Sequence, residues 1–157
     1  MRYNKHYILL TMEEWAMYRY SLNVRFNDCD VLGHVNNATY YTYFEEARRE
    51  LFQLFNPNLS TRNWNIIVAS NACNYLQEIH FAQDITIYTW ISRIGNSSFD
   101  VEHAIQDEEG QWKSRGRATL LQFDYEHKRS VPINDAIRQQ LSEHPQGPEG
   151  VPDFRQF

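Results

Sequence analysis

Cysteine is scarce in this chain: two residues, Cys29 and Cys73, in 157. Two thiols build no disulfide framework, and neither stands at a zinc-ligand spacing. The six histidines, at 6, 34, 80, 103, 127 and 144, form no i,i+4 pair and have no cysteine companion. No metal and no separate cofactor are expected. Basic charge is also short, with 15 Lys and Arg against 20 Asp and Glu, a net −5. General nucleic-acid binding wants a basic footprint and is set aside. An anionic small ligand remains compatible where a few basic groups cluster. Long apolar runs are missing too. Tyr7-Ile8-Leu9-Leu10 is brief and Glu13-Glu14 follow it, so neither a signal peptide nor a membrane span is expected. The cytoplasm is the default location.

Aromatics, by contrast, are plentiful: ten tyrosines and nine phenylalanines within a hydrophobic fraction of 42%. The length suits one domain with a core of useful size. Residues 1–20 read as an N-terminal arm, 21–143 as the folded domain and 144–157 as a flexible or docking C-terminal tail. That tail holds three of the five prolines and two of the six glycines.

Periodicity organises the middle. A first strand is predicted at Leu22–Phe26. Tyr40, Phe44, Ala47, Leu51 and Phe55 then recur at three or four residues, which predicts one long helix over Asn37–Phe55. At 1.5 Å per residue it would measure about 28 Å and cross a whole sheet. Asn36 or Asn37 caps it, and Asn56-Pro57 ends it. From Ile66 the period turns to two, giving strands at Ile66–Tyr75, Ile85–Ile94, Ser98–Gln106 and Gln111–Tyr125. A short helix capped by Asn134 or Asp135 closes the pattern. One strand, a long helix and a meander make an α+β domain with the helix covering one sheet face.

Arg25-Phe26-Asn27-Asp28-Cys29-Asp30-Val31-Leu32-Gly33-His34-Val35-Asn36-Asn37 carries the chemistry. A carboxylate four residues before a histidine, just ahead of a helix N-terminus, places a base or nucleophile beside free backbone N–H groups. Such a kit suits attack on a carbonyl and stabilisation of the oxyanion that results. Asp30 is the candidate nucleophile or general base, or else the acceptor of an Asx-turn. Asp28 reads as structural. His34 either orients a water or packs at the helix entry. Gly33 permits a turn with positive φ. Cys29 lies between two aspartates, surroundings that disfavour a thiolate nucleophile. Glu45 and Glu46 read as partners of Arg48 and Arg49 on the helix surface.

Asp30-Val31-Leu32-Gly33-His34-Val35-Asn36-Asn37, with Tyr40 and Phe44-Glu45-Glu46-Ala47-Arg48 after it, resembles the hotdog-fold acyl-CoA thioesterases of the 4-hydroxybenzoyl-CoA thioesterase type. The likeness covers roughly Leu22 to Leu141. It implies an antiparallel sheet wrapped around a long central helix, and subunits paired edge to edge into a homodimer or homotetramer with the sites at the interface. It also implies hydrolysis of an acyl-CoA thioester, CoA being part of the substrate. The family's catalytic aspartate falls on Asp30, and its carbonyl-polarising amide at or near Asn37, with His34 beside them. Gly33 and Asn36 belong to the substrate-binding turn, and Arg93, Lys128 and Arg129 are candidates for the CoA phosphates.

Three features depart from the family pattern. Tyr75-Leu76-Gln77-Glu78-Ile79 stands where a proline is common, the hairpin Gly95-Asn96-Ser97-Ser98 carries no basic residue, and residues 1–20 precede the usual start. Acyl-carrier-protein thioesters are the near alternative substrate, and a non-catalytic acyl-binding protein is the alternative of another class. Lys113, Arg115 and Arg117 alternate along one strand, as phosphate ligands or as charges that blunt an exposed edge. The helix also supports an argument about assembly. Tyr41, Tyr43 and Phe52 fall off its buried stripe, and a lone subunit would leave their rings partly wet.

Overall fold

The computed structural model describes residues 16–156. Five long strands form one antiparallel sheet: β1 (Tyr18–Asn23), β2 (Ile66–Tyr75), β3 (Asp84–Ile94), β4 (Ser98–Asp107) and β5 (Trp112–Asp124). Their order across the sheet is β1-β3-β4-β5-β2, and the two-residue β6 (Arg129–Ser130) adds to β5. Three helices accompany them: α1 (Thr39–Ala47), α2 (Arg49–Phe55) and α3 (Asp135–Leu141). The meander thus follows the alternation in the sequence. β1, however, runs from Tyr18 to Asn23 rather than from Leu22 to Phe26, so it begins inside the segment assigned to the arm. The rest of that arm, 1–15, lies outside the described residues.

The single long helix is corrected to two. α1 and α2 meet at Arg48, whose φ and ψ of −87° and 3° leave the helical region. Its amide turns tightly onto the Glu45 carbonyl at 3.1 Å. The Arg48 side chain explains the break, because it runs inward and is fully buried, with Nη1 3.4 Å from His103 Nε2 on β4. A guanidinium only donates, so Nε2 accepts and Nδ1–H points to Thr89 Oγ1 at 2.9 Å. Burial, then the cations of Arg48 and Arg115, hold His103 well below the usual histidine range and therefore neutral. Burial likewise lowers Arg48 to about 10.

Helix and sheet approach closely at one glycine. The Phe44 ring stacks on His103 at 4.8 Å, and a Cβ on Gly116, the strand partner of His103, would meet that ring at 2.5 Å. Only glycine leaves room there. Around this contact the core divides in two. Val35, Tyr40, Phe44, Ile79, Ile87 and Ile105 fill the end near the α1 start. Leu51, Phe55, Phe99, Leu120, Ile133 and Leu141 fill the other. Tyr43 and Phe52, expected to be wet, are buried within the one chain. Tyr43 reaches Asp28 through its hydroxyl, and Phe52 packs edge-on against Trp64 at 5.4 Å. Of the three rings named, Tyr41 alone stays partly exposed, so the helix supplies no broad unpaired aromatic face.

Basic residues on β5 are turned to the outer face of the sheet and are neutralised. Lys113 pairs with Asp107 at 2.9 Å, while Arg115 and Arg117 share Glu102. Residues 144–155 run over that face. The His144 carbonyl accepts from Ile91 N at 2.7 Å, Gly147 sits on the Trp90 ring, and Arg115 donates to the Pro152 carbonyl. Asn74 exchanges two hydrogen bonds with the Arg155 backbone, at 2.7 and 3.2 Å.

Candidate active site

The link from β1 to α1 is tied down by Asp28. Its carboxylate accepts from the Arg25 amide and guanidinium and, at 2.8 Å, from the Tyr43 hydroxyl. Burial pushes this carboxyl up, but the Arg25 and Tyr43 hydrogen bonds outweigh burial and hold it below its ordinary value. The Asp28 carbonyl accepts from Asn36 N at 2.9 Å. Asp28 is thus a strut between the turn and the helix, in keeping with its structural reading.

Asp30 follows two residues later and is placed differently. Its amide and carbonyl close a tight turn, donating to the His34 carbonyl and accepting from Gly33 N, each at 3.0 Å. Gly33 has φ of +82°, a conformation that suits glycine. The half-exposed carboxylate accepts from Leu32 N at 2.9 Å through one oxygen and from Asn36 Nδ2 at 3.4 Å through the other. Each oxygen keeps a lone pair to spare.

The helix start lies against the same turn. The N-cap position of α1 is Ala38, not Asn36 or Asn37, and has no side-chain cap; Asn36 instead ties the turn ahead of it, its side chain accepting from Ala38 N and its carbonyl from Thr39 N, each at 2.9 Å. The Asn37 amide is left without a hydrogen-bond partner among the described residues. Asp30, His34, Asn37 and Tyr40 border a cleft of about 340 Å³ whose far wall is Tyr75-Leu76-Gln77-Glu78. The Tyr75 hydroxyl donates to the Asn37 carbonyl at 3.0 Å, and its ring meets Tyr40 edge-on at 5.0 Å. Glu78 stands between two imidazoles, 3.9 Å from His34 Nε2 and 3.6 Å from His80 Nε2.

This far wall was missed as part of the site. The sequence marked it only as a departure from the family pattern. What brings it across is the pairing of Val35 N with the Ile79 carbonyl at 2.7 Å and the bridge between His34 and His80. Neither carries a local signal.

Of the eight candidate residues, five gather here: Asp30, Gly33, His34, Asn36 and Asn37. The other three do not join them. Arg93 sits near the hairpin end of β3 and is held by Asp100 at 2.7 and 2.9 Å. Lys128 lies in the turn after β5 and Arg129 opens β6, at that same end of the sheet. Among the described residues no group of three or more His, Cys, Asp or Glu side chains is placed to hold a metal ion. No described helix is long and apolar enough to cross a membrane.

The model of the thioesterase-like superfamily matches residues 24–141, from just before the Asp28 strut to the end of α3. The chain belongs to that superfamily. A solved structure described as a predicted thioesterase from Bacillus stearothermophilus is 35% identical, covers 85% of this chain and 99% of its own, and superposes with a TM-score of 0.81. A thioesterase from Thermus thermophilus, solved with coenzyme A and zinc, is 31% identical, covers 79% and 96%, and gives 0.71. Bacillus subtilis YsmA, itself uncharacterised, is 29% identical over 86% of this chain and 94% of its own. The curled antiparallel sheet matches these thioesterases, so the protein is an enzyme of that type. Its C-terminal tail, beyond residue 141, lies past the matched region.

Proposed function

We propose that this thioesterase hydrolyses acyl-CoA thioesters in the Asp30 cleft. The observation that carries the reading is the pairing, across one cleft, of a half-exposed carboxylate with an unpartnered amide at a helix start. Asp30 acts as general base on a water or as the nucleophile itself. In the first route its carboxylate takes a proton as the water oxygen bonds to the carbonyl carbon. In the second the carboxylate oxygen bonds there, and water later opens the anhydride. Either way the carbonyl oxygen becomes an oxyanion facing the Asn37 N–H at the positive end of the α1 dipole. The C–S bond then breaks, and the thiolate leaves and takes up a proton. His34, on the rim beside Glu78, orients the water in this reading.

Assembly belongs to the same proposal. β2 forms one edge of the sheet, opposite β1, and Val68 to Ala72 are exposed along it. A ten-residue edge with neither proline nor lysine is a template for pairing. Two copies joined antiparallel along β2 would continue the sheet and cover the cleft mouth near Tyr75. The test is thiol release from short, medium, long and aromatic acyl-CoAs, with Asp30→Asn alongside. A loss of about two to four orders of magnitude in kcat is expected. Activity within threefold of wild type, in a folded variant, would overturn the assignment.

A further inference from the structure

Tyr75 is the last residue of β2, and its ring forms part of the far wall of the Asp30 cleft. That end of the strand is fixed on two sides. Leu76 N and Gln77 N both donate to the Lys113 carbonyl, at 2.9 and 3.2 Å. Asn74, one residue back, is bound to the Arg155 backbone of the C-terminal tail. The Tyr75 ring is set edge-on against Tyr40, a buried residue of α1, at 5.0 Å. Its hydroxyl is therefore delivered to a defined place, although the ring itself is 48% exposed and lies outside the core.

That place is the carbonyl of Asn37, which accepts from Tyr75 at 3.0 Å. In a regular α-helix this carbonyl would accept from Tyr41 N. Tyr41 N turns instead to the Ala38 carbonyl at 3.2 Å, which leaves the Asn37 carbonyl to Tyr75. Burial pushes the Tyr75 phenol up to about 12, so at neutral pH it is a donor. Both peptide planes that flank the Asn37 Cα are thus pinned. In the first, the Asn36 carbonyl accepts from Thr39 N at 2.9 Å. In the second, Ala38 N donates to Asn36 Oδ1 at 2.9 Å and the Asn37 carbonyl accepts from Tyr75. The unpartnered Asn37 N–H belongs to the first plane and takes its direction from this frame. The other ties are made within the turn itself. That of Tyr75 fixes the turn to the sheet.

We propose that Tyr75 is a positioning residue for thioester hydrolysis: its hydroxyl holds the Asn37 segment so that the Asn37 N–H points at the carbonyl oxygen under attack. The proposal rests on the acyl-CoA reading of the Asp30 cleft, in which that N–H meets the oxyanion. Tyr75 acts through the backbone and bonds to no reacting atom. A donor fixed before the reaction spends nothing on reorientation as charge builds on the oxygen, whereas a loosely held one loses part of its effect. The gain belongs to the step in which that charge develops, so it falls on kcat rather than on substrate affinity. Tyr75 opens the segment Tyr75–Ile79 that departs from the family pattern, and this gives the departure a task in the chemistry.

The experiment compares wild type with Tyr75→Phe, which keeps the ring against Tyr40 and removes the hydroxyl. Tyr88→Phe is the control. It removes a hydroxyl that donates to Gln106 Oε1 at 3.2 Å, on the sheet face that the tail crosses. For each protein, kcat and KM are measured on one acyl-CoA, together with the thermal midpoint and the amide NMR signals of Asn37 and Ala38. We expect Tyr75→Phe to lower kcat about three- to tenfold with KM within about twofold of wild type. The Asn37 and Ala38 signals should move while the midpoint stays within a few degrees, and Tyr88→Phe should change neither kcat nor those signals. A raised KM with unchanged kcat would make Tyr75 a substrate contact and overturn the proposal. An equal fall of kcat in Tyr88→Phe, or wild-type kcat in Tyr75→Phe, would overturn it too, and each leaves the hydrolase reading standing. If the wild-type protein cleaves no acyl-CoA, signals that move in Tyr75→Phe would support the clamp on Asn37 and count against the hydrolase reading alone. Signals that stay in place would overturn the clamp in either case.

Discussion

Asp28 and Asp30 stand two residues apart in one turn and occupy opposite surroundings. The Asp28 carboxylate is buried and engaged by the Arg25 amide, the Arg25 guanidinium and the Tyr43 hydroxyl. That of Asp30 is half-exposed and takes one backbone and one long side-chain hydrogen bond. Two histidines repeat the contrast. His103 is fully buried between Arg48, Thr89 and Phe44, whereas His34 sits on the cleft rim beside Glu78. A polar group whose bonding capacity is saturated holds the fold. One that keeps lone pairs toward a cleft is free to act on a ligand.

The largest effect on stability is expected from Asp28→Ala. It strands the Tyr43 hydroxyl and the Arg25 amide, and should cost about 3 kcal/mol. Thermal or urea unfolding measures it, and a cost below about 0.5 kcal/mol would erase the contrast with Asp30. Tyr43→Phe removes one hydrogen bond to the buried carboxylate. The expected loss is about 1.5–3 kcal/mol, with an unfolding midpoint lower than wild type in the same measurement.

A third prediction uses pH to sharpen the histidine pair. The folded pKa of His103 lies below its ordinary value of 6.5, so the unfolded chain takes up a proton first as pH falls. The stabilisation is therefore complete above about 6.5. It declines as pH drops from there toward the folded pKa, by up to about 1.4 kcal/mol per unit. Asp28, Asp100 and Asp107, each held below 3.8, lose their contributions only at lower pH still. Melting temperatures from pH 7.5 to 4.5 follow the decline, and His103→Gln should flatten it. A wild-type curve already flat over that window would contradict the buried, neutral assignment.

The smallest effect expected is none. Glu78, His34 and His80 lie close together on the rim, yet no metal-binding group of three is formed among the described residues. Incubation with EDTA should leave thiol release unchanged, and recovery of lost activity by added zinc would reverse that view.

Much of this contrast was legible from residue order alone. Ile66–Tyr75 has the predicted bounds, and the alternation from Phe99 to Ile105 points inward as read. Both follow from local rules of period and turn chemistry. What escaped depends on distant partners. The helix breaks at Arg48 because its guanidinium reaches His103, 55 residues away. Lys113 and Arg115 are buried because Asp107, Glu102 and the C-terminal tail cover them, where the pattern alone suggested an exposed strand. Tyr43 reads as an off-stripe aromatic until Asp28 is seen beneath it. In the cleft, the Asp30 turn was readable because its residues are contiguous. The Tyr75–Glu78 wall was not, since the chain returns to it after crossing β2.

The account stands most directly on Asp30. Thiol release from an acyl-CoA that wild type cleaves should be measured for Asp30→Asn at matched concentration, with the thermal midpoint of each protein recorded. The account predicts kcat down by about two to four orders of magnitude, with a midpoint within a few degrees of wild type. A folded Asp30→Asn protein that turns over at wild-type rate would contradict it.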